Sequence, residues 1–167
     1  MMSSQTISML FDYHYGMFDM VWASVKQLTV DQFVEENDYS LLSVRNHLVH
    51  CMNVDDRWLA RLQELRPPPI LDECTYPDQA SVRAEWDATR ERVLDYVGSQ
   101  DEGALEATIS IELPTYYPTP RKSKRRDALL HMVNHGTDHR AQILARLHEL
   151  GAPTMEQDLI LYLWAQE

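Results

Sequence analysis

The chain has 167 residues, 44% hydrophobic and 25% charged, an ordinary composition for one domain with a sizeable core. Its net charge of −11 argues against a broad nucleic-acid footprint, and no apolar run approaches the length needed to cross a membrane. The opening "MMSSQTISMLFDYHYG" lacks the basic start and unbroken apolar stretch of a secretory leader, and Cys51 and Cys74 lack metal-finger spacing, so a cytoplasmic protein with reduced thiols is expected.

In the first segment Ile7, Leu10, Phe11, Met17, Phe18, Val21, Trp22, Val25 and Leu28 fall at helical spacing, with His14 in the middle of the apolar stripe. A second helix is predicted to start at Ser40 or Ser43, either of which could cap it. It runs through "VRNHLVHCMNVDDRWLARLQEL" and stops before Pro67-Pro68-Pro69. A third begins after Pro77, carries Val82, Trp86, Val93, Leu94 and Val97, and ends near Gly98. "ATISIEL" has β character and is expected to form a short strand or part of a hairpin, while Pro114, Pro118 and Pro120 make the rest of that connection a loop. "RKSKRR", residues 121 to 126, reads as a solvated loop that could also steer an anionic substrate. The fourth helix is predicted from about Lys124 to Leu150, with Gly151 and Pro153 as stop signals, and "MEQDLILYLWAQ" holds a last short helix. There is no internal repeat. The expected fold is all-α, a single domain over 1–167. It is a four-helix bundle of up-down-down-up type, with a short extra C-terminal helix and a small strand-like loop before the fourth long helix.

Seven histidines stand at positions 14, 47, 50, 131, 135, 139 and 148. In "HMVNHGTDHR", residues 131 to 140, three recur at intervals of four, and residues four apart share a helix face. The strip drifts by roughly 40° per four residues, so all three cannot easily hold one ion. Against an apolar stripe at Leu129, Val133, Ile143 and Leu147, His135 and His139 lie on the flank and His131 farther toward solvent. This favours the 135/139 pair plus a residue from another helix. The zinc-protease pattern H-E-x-x-H is absent, because Gly136 follows His135. The second helix offers His47, nearer its apolar stripe of Leu48, Met52, Leu59 and Leu62, and His50 at the edge; periodicity leaves both open. Two helices supplying three neutral imidazoles would leave coordination positions open, as a catalytic metal needs. His14 reads as a hydrogen-bonded core histidine, and His148 as solvent-facing.

"HMVNHGTDHRAQILARLHELG" followed by "DLILYL" resembles the DinB-like family, the damage-inducible and YfiT-type proteins. His131, Asn134, His135, His139, Arg140 and Gln142 fall in register with its pattern H-x-x-N-H-x-x-x-H-R-G-Q, and Leu150-Gly151 with its close. "SVRNHLVHCMNVDDRWL" is similar to the family's second helix, which makes its functional positions His50, Asp55 and Trp58. "FDYHYGMFDMVW" is similar to the first, with His14 where an asparagine is expected. Ala141 replaces the usual glycine of H-R-G-Q. The resemblance covers nearly the whole chain and implies a helical bundle with a metal held by His50, His135 and His139.

The resemblance further implies chemistry on a small-molecule substrate. One form is thiol-dependent S-transfer with a low-molecular-weight thiol cosubstrate. The other is hydrolysis by a metal-bound hydroxide. Zinc, nickel or iron suits three imidazoles. Asp55 is expected as a general base or as a partner orienting a histidine; it stands about 140° round the helix from His50, which disfavours ligation beside it. Arg140 and Gln142 are expected to tie helices together or to line the mouth. A non-catalytic, stress-related metal-binding or interaction protein is the contrasting expectation, and helix packing between copies would give a homodimer.

Overall fold

The computed structural model describes residues 2–166. Four long helices carry the fold: α1 (Ser4–Val25), α3 (Val44–Leu62), α4 (Gln79–Gly98) and α6 (Arg125–Glu149). Between and after them lie the short α2 (Val30–Val34), α5 (Glu102–Glu106) and α7 (Leu159–Trp164), and one hairpin, β1 (Thr108–Ile111) with β2 (Arg121–Lys124). Among the described residues no helix is long and apolar enough to cross a membrane.

Each long helix buries the stripe that its spacing dictates. On α1, Ile7, Phe11, Phe18, Trp22 and Val25 are buried, and the helix is started by Ser3, whose side chain accepts from Thr6 N–H. Ser43, of the two candidate caps, starts α3 by accepting from Asn46 N–H. Asp78 caps α4 after Pro77, in a reciprocal pair with Ser81.

Around the bundle α1 packs on α4 and α6, and α3 packs on the same two, so the first and second long helices are diagonal. Side-chain contacts set the directions. His47 meets His139 and Trp58 meets His131, so α3 and α6 are antiparallel. Tyr15 meets Arg90 and Trp22 meets Arg83, so α1 and α4 are antiparallel. Asp56 pairs with Arg92, and Tyr96 donates to the Leu62 carbonyl, so α3 and α4 are parallel. This is the up-down-down-up arrangement expected from the sequence.

The differences lie in the connections. Helix α3 ends at Leu62, short of the predicted Leu65. Glu64 turns left-handed at φ 58°, and Leu65 N–H and Glu64 N–H close onto the carbonyls of Ala60 and Arg61 at 2.8 and 3.0 Å. The two short helices α2 and α5 carry too few turns for periodicity to reveal them. The "RKSKRR" run is not a solvated loop. Its first four residues pair antiparallel with β1, Thr108 opposite Lys124 and Ile111 opposite Arg121, which lets Ile109 and Ile111 face the core. Its last two residues open α6. Lys124 Nζ and Arg125 Nη1 donate to the Glu106 and Ala104 carbonyls at 2.6 and 3.0 Å, where cations suit the C-terminal end of α5. Arg126 pairs with the Glu106 carboxylate.

The same closing motif as in α3 ends α6, but there Gly151 takes the left-handed position at φ 75°. The two ends therefore predict opposite responses in urea titrations. Gly151→Ala is expected to destabilise by about 1 kcal/mol, and Glu64→Gly to stabilise by about 0.5–1 kcal/mol. The reverse pattern, with alanine tolerated at 151 and glycine costly at 64, would contradict these turn geometries.

Candidate metal centre

The antiparallel seam between α3 and α6 brings His50, His135 and His139 together, each offering a ring nitrogen within 4.8 Å of the others. His50 Nε2 and His135 Nε2 stand 3.3 Å apart. Four-residue spacing puts His135 and His139 on one face of α6, with ring centroids 4.4 Å apart, and His50 lies across the seam, 5.2 and 4.6 Å from them.

Burial holds these rings neutral. The pKa of His135 is lowered to about 3, first by burial and then by the neighbouring His139 and His50 rings. That of His50 is lowered to about 4 by burial and by His139, and burial lowers His139 as well. Neutral imidazoles present free lone pairs, the form in which histidine binds a metal. The donor set, three such nitrogens at close range, fits a divalent ion of the zinc, nickel or iron type.

The periodicity that left His47 and His50 open resolves into two places. His47 is the more buried, at 3% exposure, and sits beside the cluster rather than in it. Its Nδ1 faces His139 Nδ1 at 3.4 Å, which holds the His139 ring by one nitrogen and leaves the other for a ligand. Burial, then the His139 and His50 rings, lower the pKa of His47 to about 4. His131 lies on the solvent side, as its spacing implied, with its ring 4.8 Å from Trp58 and 5.9 Å from His135.

Asp55 is not beside the three histidines. It is buried and turned into the core, where Tyr15 Oη donates to Oδ2 at 2.9 Å and His14 Nε2 stands 3.7 Å away. Asp55 is expected from the sequence as a general base or as the partner that orients a histidine of the site; the histidine it faces is His14, which lies outside the three-histidine cluster. The His14 ring is 1% exposed, and burial lowers its pKa. Arg140 Nη1 approaches His14 Nδ1 at 3.4 Å. Arginine can only donate, so Nδ1 accepts and the proton belongs on Nε2, toward Asp55.

Arg140 is fully buried. It donates to Thr137 Oγ1 at 2.9 Å, Gln157 Oε1 at 3.3 Å and the His14 carbonyl at 3.4 Å, and lies 5.2 Å from the Tyr13 and Phe18 rings. It ties helices, the structural role expected of it. Gln142 ties α6 at the surface to the loop before α3, where it accepts from Ser40 Oγ.

A cleft of about 660 Å³ opens onto His50 and His135. Its walls include His131, Trp58 and the loop between the strands at Pro114 and Tyr116. Two further lining residues, Arg57 and Arg61, are not singled out by the sequence motifs. Their signal is present in the chain all the same: they come seven and eleven residues after His50, on the same face of α3.

The family model described as the DinB family matches residues 1–167, and the chain belongs to that family. A conserved protein from Enterococcus faecalis has a similar structure at 15% identity and a TM-score of 0.65, covering 88% of this chain and 96% of that one. A DinB family member protein from Shewanella denitrificans is similar at 18% identity and a TM-score of 0.60, covering 94% of this chain and 88% of that one. At those identities the likeness is one of fold. No curated protein matches the sequence.

The contact between α1 and α6 can be tested through its glycine. A Cβ on Gly136 would stand 2.2 Å from His14 Cε1, and the His14 ring is packed too tightly to retreat. Gly136→Ala should therefore cost about 1–3 kcal/mol on its own. It should cost clearly less in a His14→Ala background, as measured in a double-mutant cycle. Additive effects would show that the ring does yield.

Acid tests the burial of the histidines. With chelator present, His47, His50 and His135 stay neutral in the fold down to about 4, 4 and 3, whereas in the unfolded chain they protonate near 6.5. Below that value the unfolded chain binds more protons, so stability falls as pH falls from about 6.5 toward 4. Thermal unfolding monitored by circular dichroism should give a lower Tm at pH 5 than at pH 7. His50→Leu should flatten the slope; an unchanged slope would contradict the burial of this ring.

Proposed function

We propose that this chain is a metal-dependent enzyme, with His50, His135 and His139 as the protein ligands and a low-molecular-weight thiol as cosubstrate for S-transfer. One observation carries the reading: three neutral imidazoles converge, and two of them, His50 and His135, face an open cleft while His139 sits buried behind them. When bound there, a divalent ion supplies Lewis acidity, which makes a thiol or a water a nucleophile near neutral pH.

The residues of the chain divide the remaining work. His47 fixes the His139 ring, and the tight packing of His14 against Gly136 backs the helix turn that carries both α6 ligands. Trp58, Pro114 and Tyr116 bound a cleft roomy enough for an organic substrate beside a small thiol. Arg57 and Arg61 give it a positive wall. Asp55, buried against Tyr15 and His14, acts through position rather than as a base in contact with substrate.

The test combines metal content and turnover. Protein purified without a histidine tag should hold zinc, nickel or iron near one per chain by mass spectrometry. His50→Ala, His135→Ala and His139→Ala should each lose most of it. His131→Ala should retain it, and His47→Ala should retain it with weaker affinity, by roughly 10–100-fold. Conversion of an electrophilic test substrate should then require added thiol. Turnover without thiol would favour hydrolysis instead. Native protein that neither holds nor takes up metal would overturn the enzymatic reading.

A further inference from the structure

The face of α3 that carries His50 also carries two arginines, at seven and eleven residues' distance, close to whole turns of the helix. Arg57 and Arg61 line the cleft that opens onto His50 and His135, and with Arg66 they line the adjoining groove under Pro67–Pro69. In a chain of net charge −11 this is a local concentration of positive charge. Among the described residues none of the three arginines makes an ion pair. Glu112 and Glu64 are among the groove residues, but neither carboxylate lies within ion-pair distance of these arginines.

The guanidiniums are held in place by carbonyls rather than by carboxylates. Arg57 donates to the Pro68 carbonyl, while Arg61 donates through Nε to the Glu112 carbonyl at 3.3 Å and through Nη1 to the Arg57 carbonyl at 3.0 Å. Arg61 also lies 5.3 Å from the Trp58 ring. The two charges sense one another: burial and then Arg57 lower the pKa of Arg61. Two like charges kept side by side, anchored by neutral acceptors and with donors to spare, form a fork for an anion.

We infer that Arg57 and Arg61 are an anion subsite, which takes the carboxylate or phosphate of an organic acid. The body of that acid lies along Trp58 and its other end reaches the histidines. This rests on the reading of the histidines as the reactive end of the cleft. Helical rise sets the scale, because Arg57 stands about 10 Å along α3 from His50. The ligand is therefore longer than a simple anion, with an apolar middle against Trp58 and Pro114.

Two arms test it. In the first, metal-free protein is titrated with inorganic phosphate and with hexanoate, while NMR tracks the arginine Nε–H and tryptophan indole N–H signals. Saturable shifts of Arg57, Arg61 and Trp58 are expected, weakened at least fivefold in Arg57→Met and Arg61→Met. Both variants should keep the native circular dichroism and a cooperative thermal transition, with Tm lowered by no more than a few degrees. In the second, cobalt-loaded protein is titrated with 6-mercaptohexanoate and 6-mercaptohexanol, read by the thiolate-to-cobalt absorption. The carboxylate should bind at least tenfold tighter than the alcohol, and Arg61→Met should remove the preference.

Shifts that do not saturate, or that survive both arginine substitutions, mean an adventitious ion only and overturn the subsite. A folded pair of variants with undiminished anion binding does the same. Anion binding at the arginines with no cobalt uptake supports the subsite and sinks the metal reading instead. Cobalt binding with equal affinity for the two thiols overturns the subsite and leaves the metal reading standing.

Discussion

The buried guanidinium of Arg140 is the constraint around which the core is arranged. A permanent charge with no exposure must spend its donors on protein acceptors. It does so on Thr137 of its own helix, on His14 of α1 and on Gln157 of the C-terminal segment. It is further surrounded by the faces of Tyr13 and Phe18. A hydrogen bond to a charged group is generally worth about 1.5–3 kcal/mol, so these contacts together oppose any rotation of α6 against α1. Arg140 is next in sequence to His139. An α6 held in that rotation turns His135 and His139 toward α3.

The site then arises from packing on the other side of α6. Antiparallel contact with α3 sets His50 opposite the two rings of α6, and places His47 a turn away, where its ring meets that of His139. Burial suppresses the charge on all four rings. The result is a group of lone-pair donors, two of which, His50 and His135, face a cleft with aromatic and arginine walls formed by the continuation of α3. One helix thus supplies both a donor at its N-terminal half and a positive wall farther along. The hairpin loop closes the opposite side with Pro114 and Tyr116.

A second polar cluster sits behind these donors. His14, Tyr15 and Asp55 join α1 to α3 across the diagonal of the bundle, between helices that are not direct neighbours. Gly136 is what admits the His14 ring beside α6. The position where family members were expected to carry an asparagine therefore has its volume matched by a glycine on the facing helix. The site has a packed, hydrogen-bonded backing rather than a purely apolar one.

Local sequence was enough for the four long helices, their stripes, the bundle they form, the start of α3 at Ser40 or Ser43, the start of α4 after Pro77, and the pairing of His135 with His139. Each of these depends on spacing along a single helix or on the chemistry of a few neighbouring residues. The resemblance to the DinB-like family added the choice of His50 over His47. Short elements stayed hidden: α2 and α5 are five residues each, too few to show a period, and a basic run such as "RKSKRR" looks solvated until its partner strand is known. The tertiary structure decided which face of α3 meets α6, and with it the separate places of His47 and His50. It also decided that Asp55 turns to His14, and that the cleft's charge comes from Arg57 and Arg61 rather than from that basic run. Periodicity reports where a side chain lies on its own helix; what stands opposite it is set by how the helices pack, through contacts between residues far apart in the chain.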